Sequence, residues 1–253
     1  MSTRSLILLG LITSSVVYAN DDVDETSEKQ PSPLSTEVEF GYQSHSGNSD
    51  TQSLNSRLEA EYTSGQHRHS GEFKLYKLDK DGEEDKFQTS YQLQSDYKLG
   101  SKLYLYGSFQ GIDSRHSAYF KDYTLSGGLG YQFAHSDELQ LEVEFGPGYR
   151  YQEPNLDELD DDDLIFPDIV QEPIFRGNVA LDWQLLDTLS LSGQVTLVAG
   201  ESNMRTDSEI SFTNNITDDI ALKVSQSRQY HDKVPDGLSK SDSVLSVNLL
   251  FSF

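Results

Sequence analysis

Apolar and polar residues alternate along most of the chain after about residue 36. At the carboxyl end, every second position is apolar: Leu245, Val247, Leu249, Phe251 and Phe253. Because successive side chains of a strand point to opposite faces, this segment is predicted to be a strand with one apolar and one mixed face. The same period of two recurs in about twelve segments, which predicts an all-β chain.

The predicted strands favour an antiparallel up-and-down β-barrel that crosses a membrane. Each is about ten residues long, which is enough to cross a bilayer at a tilt and longer than most soluble strands. Short turns alternate with longer loops, among them a charged loop from Asp79 to Lys86 and an acidic one from Gln152 to Pro173. This alternation is typical of barrels that have both termini on the periplasmic side.

Aromatic residues recur at the ends of the apolar faces, where lipid head groups are expected. One rim is predicted to carry Tyr62, Tyr97, Phe133, Trp183 and Phe253, and the other Phe87, Phe109, Tyr123, Phe145, Phe175 and Tyr230. A soluble periplasmic β-sandwich is the alternative architecture. It would need an internal partner for every apolar face and would leave unprotected edge strands.

The amino-terminal region has the pattern of an exported protein. Arg4 precedes an apolar run from Leu6 to Val17, and Val17-Tyr18-Ala19 fits a cleavage site, so residues 1–19 are predicted to be a cleaved signal peptide. Residues 20–35 are acidic and contain Pro31 and Pro33, which predicts a disordered periplasmic leader. The barrel is then predicted over 36–253, in the outer membrane of a Gram-negative bacterium.

Charge and cysteine content exclude several classes of function. With 19 Lys and Arg against 42 Asp and Glu, the net charge is −23. Such a chain repels nucleic acid and anionic membrane surfaces. The sequence contains no cysteine, which excludes disulfides, thiolate metal ligands and a cysteine nucleophile.

If the apolar face points to lipid, the opposite face lines a lumen, and the ionisable residues on that face are mainly acidic. Rings of carboxylates favour cations, so one interpretation is a small cation-preferring pore, in which charge reversal at Glu142 and Glu144 would shift ion preference. The other is a plugged lumen in which acids pair with arginines and lysines. The predicted lumen residues are Glu37, Glu39, Arg57, Glu59, Glu61, Glu72, Lys74, Asp96, Glu142, Glu144, Arg150, Arg176, Asp182 and Lys223.

The long acidic connection contains candidate ligands for a hard metal ion. Asp160, Asp161, Asp162 and Asp163 are consecutive, and such oxygen ligands suit calcium or magnesium, which would bridge to lipopolysaccharide phosphates. The alternative is a solvated acidic loop, because the spacing lacks the glycine and ordered ligand alternation of a dedicated calcium loop. No cofactor is predicted.

An outer-membrane hydrolase is the alternative function, because some barrels use histidine with serine or aspartate near a rim. The local groupings are His45 with Ser46 near Asp50, and His116 with Ser114 or Ser117. Exposed loop histidines are the simpler interpretation of both, and the protein is predicted not to be an enzyme.

Three glycine-rich segments resemble a known family. These segments are Gly47-Asn48-Ser49-Asp50-Thr51 with Ser53-Leu54-Asn55, then Gly128-Leu129-Gly130-Tyr131, and Gly146-Pro147-Gly148-Tyr149-Arg150-Tyr151. From about Thr36 to Phe253 the chain resembles the YdiY-like family of unknown function, often described as salt-induced outer-membrane proteins. The resemblance implies an outer-membrane barrel and a link to salt stress, but no activity.

The last strand also resembles the closing strand of bacterial outer-membrane barrels. That resemblance implies that Phe253, Phe251 and Leu249 are a signal for the barrel assembly machinery. The expected partners are therefore this machinery, outer-membrane lipid and lipopolysaccharide. The sequence as a whole predicts a monomeric barrel of the envelope that is either structural or a small cation-preferring channel.

Overall fold

The computed structural model describes residues 32–45, 50–115, 119–155, 169–234 and 239–253. The predicted signal peptide, most of the predicted leader and Asp160 to Asp163 lie outside these ranges. Within them, no helix is long and apolar enough to cross a membrane.

Twelve strands form the described part of the chain. They are β1 (Leu34–His45), β2 (Thr51–Ser64), β3 (His67–Lys80), β4 (Glu83–Lys98), β5 (Leu103–Ser114), β6 (Tyr119–His135), β7 (Leu139–Pro154), β8 (Val170–Leu186), β9 (Leu189–Ala199), β10 (Met204–Asn215), β11 (Ile220–His231) and β12 (Ser241–Ser252).

The strands pair antiparallel in chain order, and β12 returns to β1, so the sheet is one closed barrel. The prediction of a twelve-stranded up-and-down barrel is confirmed. The alternative of a β-sandwich is wrong, because the strands form a single closed sheet. The barrel begins slightly before the predicted Thr36, since Leu34 and Ser35 already pair with Tyr62 and Glu61.

The two faces of the sheet differ in polarity as the alternation predicts. Among the described residues, 22 buried side chains are polar or charged and nine are apolar. Large apolar side chains are instead exposed around the outside, for example Phe40, Leu125, Phe175 and Leu245. The inner surface of the barrel is therefore polar, and the outer surface is apolar.

One predicted loop is wrong. The segment from Asp79 to Lys86 was expected to be a charged loop, but β3 continues to Lys80 and β4 begins at Glu83. Only Asp81 and Gly82 connect them, with φ angles of 52° and 86°. Positive φ at both central residues is characteristic of the tight type I′ hairpin turn, for which Asp-Gly is a preferred sequence.

The two ends of the barrel can be told apart by their connections. We call the turn end the one that holds the Gly65-Gln66 and Asp187-Thr188 turns, together with Leu34 and Phe253. The opposite end is the loop end, where residues 155–169 connect β7 to β8. Tyr62, Tyr97, Phe133 and Trp183 are exposed close to the turn end, in the rim predicted for them.

Candidate functional site: a charged lumen

The predicted lumen residues all lie on the inner surface of the barrel. Arg150 and Arg176 are buried in side-chain networks. The others line one or both of two internal cavities: Glu37, Glu39, Arg57, Glu59, Glu61, Glu72, Lys74, Asp96, Glu142, Glu144, Asp182 and Lys223.

The two cavities are arranged along the barrel. The first, which we call the vestibule, has a volume of about 640 Å³ and is lined near the turn end by residues such as Glu61 and Ser252. The second, the loop-end cavity, has a volume of about 220 Å³ and is lined by residues such as Lys86 and Asp242. Arg57, Glu72, Gln92, Gln194 and Glu209 line both cavities, so the cavities meet at these side chains.

A set of ion pairs crosses the lumen where the cavities meet. Arg57 on β2 reaches Glu209 on β10, with Nη2 and Oε1 2.6 Å apart. Lys74 on β3 is 3.1 Å from the other oxygen of Glu209. We call Arg57, Lys74 and Glu209 the luminal bridge, because their side chains join non-adjacent strands. Glu72 pairs with both cations, at 3.0 Å from Arg57 and 3.1 Å from Lys74.

Glu209 was not among the predicted lumen residues, although it lies on the same face of β10 as Ser211 and Thr213. Extending the alternation backwards from Ser211 and Thr213 would have placed Glu209, Asp207 and Arg205 on the inner face. The signal was therefore present in the period of two.

Glu39 is a second point at which several strands are joined. Its carboxylate accepts hydrogen bonds from Arg57 on β2 at 3.1 Å, Lys223 on β11 at 2.6 Å and Asn248 on β12 at 3.0 Å. Glu39 itself lies on β1 and is almost completely buried. Burial of a carboxylate requires such compensation, because loss of hydration is costly.

The wall of the vestibule contains a second network, around Glu142 and Glu144. Arg68 bonds both Asp96 and Glu142, while Arg176 is 2.7 Å from Glu144. Arg68 was not among the predicted lumen residues, although it lies on the same face of β3 as Glu72. Since arginines bind Glu142 and Glu144, charge reversal at either would break the wall network as well as alter luminal charge.

Tyr104 shows why one of the glycine-rich segments has its sequence. Its hydroxyl oxygen lies 3.0 Å from a carboxylate oxygen of Glu142 and 3.0 Å from one of Glu144, so its single hydrogen is shared between the two acids. The ring lies against Gly130 on the neighbouring strand, where a Cβ atom would collide with it. Glycine at this position therefore makes room for a buried aromatic ring on the inner surface.

At the loop end, the connection between β9 and β10 binds to side chains of β7 and β8, the strands that precede β9 in the sheet. Arg150 is fully buried and pairs with Glu172, and it donates to Ser202 Oγ at 2.8 Å and Asn203 Oδ1 at 3.0 Å. The amide of Asn203 donates to Gln152 at 2.9 Å. We call Arg150, Glu172, Ser202 and Asn203 the loop-end latch. The connection formed by residues 200–203 is thus fixed against the barrel interior.

The vestibule is strongly acidic. Its lining contains ten carboxylates and three cations, the latter being Arg57, Arg68 and Lys223. The carboxylates are Glu37, Glu59, Glu61, Glu72, Asp96, Glu142, Glu144, Asp182, Glu209 and Asp218. Among the described residues, Glu37, Glu59, Glu61, Asp182 and Asp218 have no ion-pair partner within 4.0 Å.

The candidates for metal binding and hydrolysis are only partly covered by the described residues. Asp160 to Asp163, Ser46, His116, Ser117 and the side chain of His45 lie outside them. Ser114 is buried on β5, and the backbone amide of Asp50 donates to Asp81 in the β3–β4 turn. In the part of the chain that is described, no three His, Asp or Glu side chains are grouped as metal ligands.

The sheet is closed, its exterior is apolar and its interior is charged. The protein therefore belongs to the class of antiparallel β-barrels. Residues 38–253 match the family described as "Protein of unknown function, DUF481", and the chain belongs to that family. It is 24% identical over 238 residues to the uncharacterized protein YdiY of Escherichia coli (strain K12), covering 90% of this chain and 87% of the relative. The predicted family is confirmed.

Three solved structures were also found to be similar. The NanC porin has a TM-score of 0.48 at 10% identity and covers 86% of this chain and 97% of its own. The translocator domain of the autotransporter NalP from Neisseria meningitidis has a TM-score of 0.46 at 9% identity, covering 89% and 90%. An outer membrane channel from Pseudomonas putida F1 has a TM-score of 0.47 at 9% identity, covering 92% and 100%.

Proposed function

We propose that the protein is an outer-membrane β-barrel that forms a narrow, cation-preferring channel, closed at rest by the luminal bridge. The observation that carries the proposal is the meeting of the two cavities at Arg57 and Glu209. Movement of these two side chains would widen the junction between the cavities. The role is transport rather than catalysis.

Membrane insertion is supported by the polarity of the barrel. An apolar exterior around a closed sheet leaves no backbone edge in lipid over most of the wall, which is the condition for a strand protein to span a bilayer. The turn end would face the periplasm. We further propose export through a cleaved signal peptide, insertion by the barrel assembly machinery through Leu249, Phe251 and Phe253, a monomeric state, and contact with lipopolysaccharide.

Cation preference is supported by the vestibule. Its ten carboxylates exceed its three cations, and the acids without ion-pair partners face an open space of about 640 Å³. Such a space concentrates cations and repels anions. At the bridge, Arg57, Lys74 and Lys223 are balanced by Glu39, Glu72 and Glu209, so the constriction presents no net positive barrier.

A link to salt stress is supported by the position of the bridge in the lumen. The side chains of Arg57 and Glu209 are 12% and 22% exposed, so ions reach the pair only from the cavity side. Dissolved ions screen exposed charges over a Debye length of about 10 Å at 0.1 M and about 3 Å at 1 M, and they screen largely buried pairs less. Molar salt would therefore weaken the bridge modestly and shift it towards the open state.

Conductance of the refolded chain in planar bilayers, under a potassium chloride gradient, tests the proposal. We expect discrete openings with cation preference, and a smaller preference in the Glu59→Gln/Asp182→Asn variant. Glu153→Gln, which changes a carboxylate on the outer surface, is the matched control and should leave selectivity unchanged. If neither the wild type nor an Arg57→Gln/Lys74→Gln variant conducts, the channel proposal is wrong and the barrel is structural.

A further inference from the structure

The seam between β1 and β12 is paired over only part of its length. Four residue pairs align there, from Glu37 with Ser252 to Phe40 with Leu249. Every other neighbouring pair of strands aligns eleven to fourteen. Residues 41–45 and 241–248 pair with β2 and β11 but, among the described residues, not with each other. Towards the loop end, the ring is therefore not closed by backbone hydrogen bonds.

Two buried acceptors mark the point at which the pairing stops. The Oδ1 atoms of Asn55 and Asn248 are buried and have no hydrogen-bond donor in the described part of the protein. Both atoms lie close to Gly41, the first residue of β1 that does not pair with β12. A side chain at Gly41 would collide with them. Buried acceptors are normally satisfied by protein or water, and both residues line the loop-end cavity, so water from that cavity would bind at these oxygens.

The unpaired segments lie at the level of the apolar outer surface. Tyr42 on β1 is exposed, as are Leu245 and Val247 on β12, with Leu245 at 70%. In a bilayer, backbone that lacks strand partners is tolerated only where protein buries it or where it lines a water-filled cavity. The loop-end cavity meets this requirement, because Val244, Ser246 and Asn248 of the same segment line it from inside.

We propose that the unpaired half of the seam is a lateral portal that admits the head group of a zwitterionic amphiphile from the bilayer into the loop-end cavity. This proposal does not depend on ion conduction. The hydrocarbon chain stays outside, against Tyr42, Leu245 and Val247. The head group enters a cavity in which Lys86 and Asp242 lie 3.5 Å apart, so a cation and an anion are side by side.

The charges favour a zwitterionic head over a purely anionic or cationic one. Asp242 lies in the part of β12 that pairs with β11 but not with β1. Its side chain is 48% exposed, so it is available at the portal. Gln88 and Gln92 add neutral amide groups to the cavity lining. A phosphate would meet Lys86 and a quaternary ammonium would meet Asp242, with the amides satisfying ester and hydroxyl oxygens.

Photo-crosslinking of the whole chain in vesicles tests the portal. A Ser246→p-benzoylphenylalanine variant reports from the cavity side of the seam, and Val244 is a second position if that variant fails to fold. The same substitution at Ser108, inward-facing on β5, is the control. The probe is lysophosphatidylcholine, with the anionic lysophosphatidylglycerol for comparison. We expect adducts with lysophosphatidylcholine that are several-fold more abundant at Ser246 than at Ser108 or with the anionic probe.

A disulfide that closes the seam provides a second test of the portal. Continuing the register places Tyr42 opposite Val247, and the chain has no native cysteine. A Tyr42→Cys/Val247→Cys disulfide should abolish capture, whereas the Val224→Cys/Val247→Cys disulfide, at a paired position, should not. Equal capture at Ser246 and Ser108, equal capture of both probes, crosslinking to a second polypeptide, or capture that persists after closure would each overturn the proposal.

Discussion

The guanidinium of Arg57 on β2 lies 2.6 Å from the carboxylate of Glu209 on β10, across the lumen of the barrel. These residues are 152 positions apart in the sequence, and their strands are not neighbours in the sheet. The pair therefore does not hold two adjacent strands in register. It occupies the space through which any solute would pass.

Removing the acid of this pair should open the path. In Glu209→Gln, Arg57 keeps its contacts with Glu39 and Glu72 but loses its tie across the lumen. We expect the open-channel conductance or open probability to rise several-fold, and the free energy of unfolding to fall by about 2 kcal/mol, because the hydrogen bonds from Arg57 and Lys74 lose their charged acceptor. Single-channel recordings and urea unfolding in vesicles measure the two effects. An unchanged conductance would show that the bridge does not obstruct the lumen.

Higher salt should also raise the conductance of the wild type, as the Glu209→Gln substitution does. Because molar salt weakens the partly buried bridge modestly, conductance should rise somewhat more steeply than in proportion to potassium chloride concentration. Glu209→Gln should instead follow proportionality, since its bridge is already broken. Recordings from low to molar salt test this prediction, and the two proteins giving the same dependence would contradict it.

The loop-end latch should contribute strongly to stability. Arg150→Met leaves Glu172 buried without its cation, and breaking a buried ion pair on one side typically costs about 3–5 kcal/mol. The double variant Arg150→Met/Glu172→Met should recover much of this loss, because both charges are then absent. Unfolding in urea measures the effect. Lys121→Met, at an exposed pair with Glu153, is the control and should change stability little.

Phe253 should matter for assembly more than for stability. Its side chain is 80% exposed, whereas its backbone amide donates to Thr36 at 2.9 Å. A Phe253→Asn variant keeps the backbone hydrogen bond and loses little burial, so it should refold in detergent as well as the wild type. If Phe253 is recognised by the assembly machinery, the same variant should accumulate less folded barrel in cells. Equal yields in cells would argue against that role.

The alternation of apolar and polar residues was sufficient to predict the strands and the inner face. Glu39, Arg57 and Lys223 are on the inner face because the period of two holds throughout their strands. What the sequence could not predict was which charges meet, since Arg57 and Glu209 are brought together only by closure of the sheet. Charged strand ends were also misjudged: Asp79 to Lys86 suggested a loop, although Asp81-Gly82 turns the chain in two residues.

The pairs at Glu39 bear on the order in which the barrel assembles. Glu39 contacts Lys223 and Asn248, which are 184 and 209 residues away in sequence, whereas every other strand pair joins neighbours along the chain. Contacts between distant residues form late, because closing a long loop costs the most conformational entropy. The backbone closes this seam only from Thr36 with Phe253 to Phe40 with Leu249, so the carboxylate of Glu39 supplements the last strand pairing by binding side chains of β2, β11 and β12.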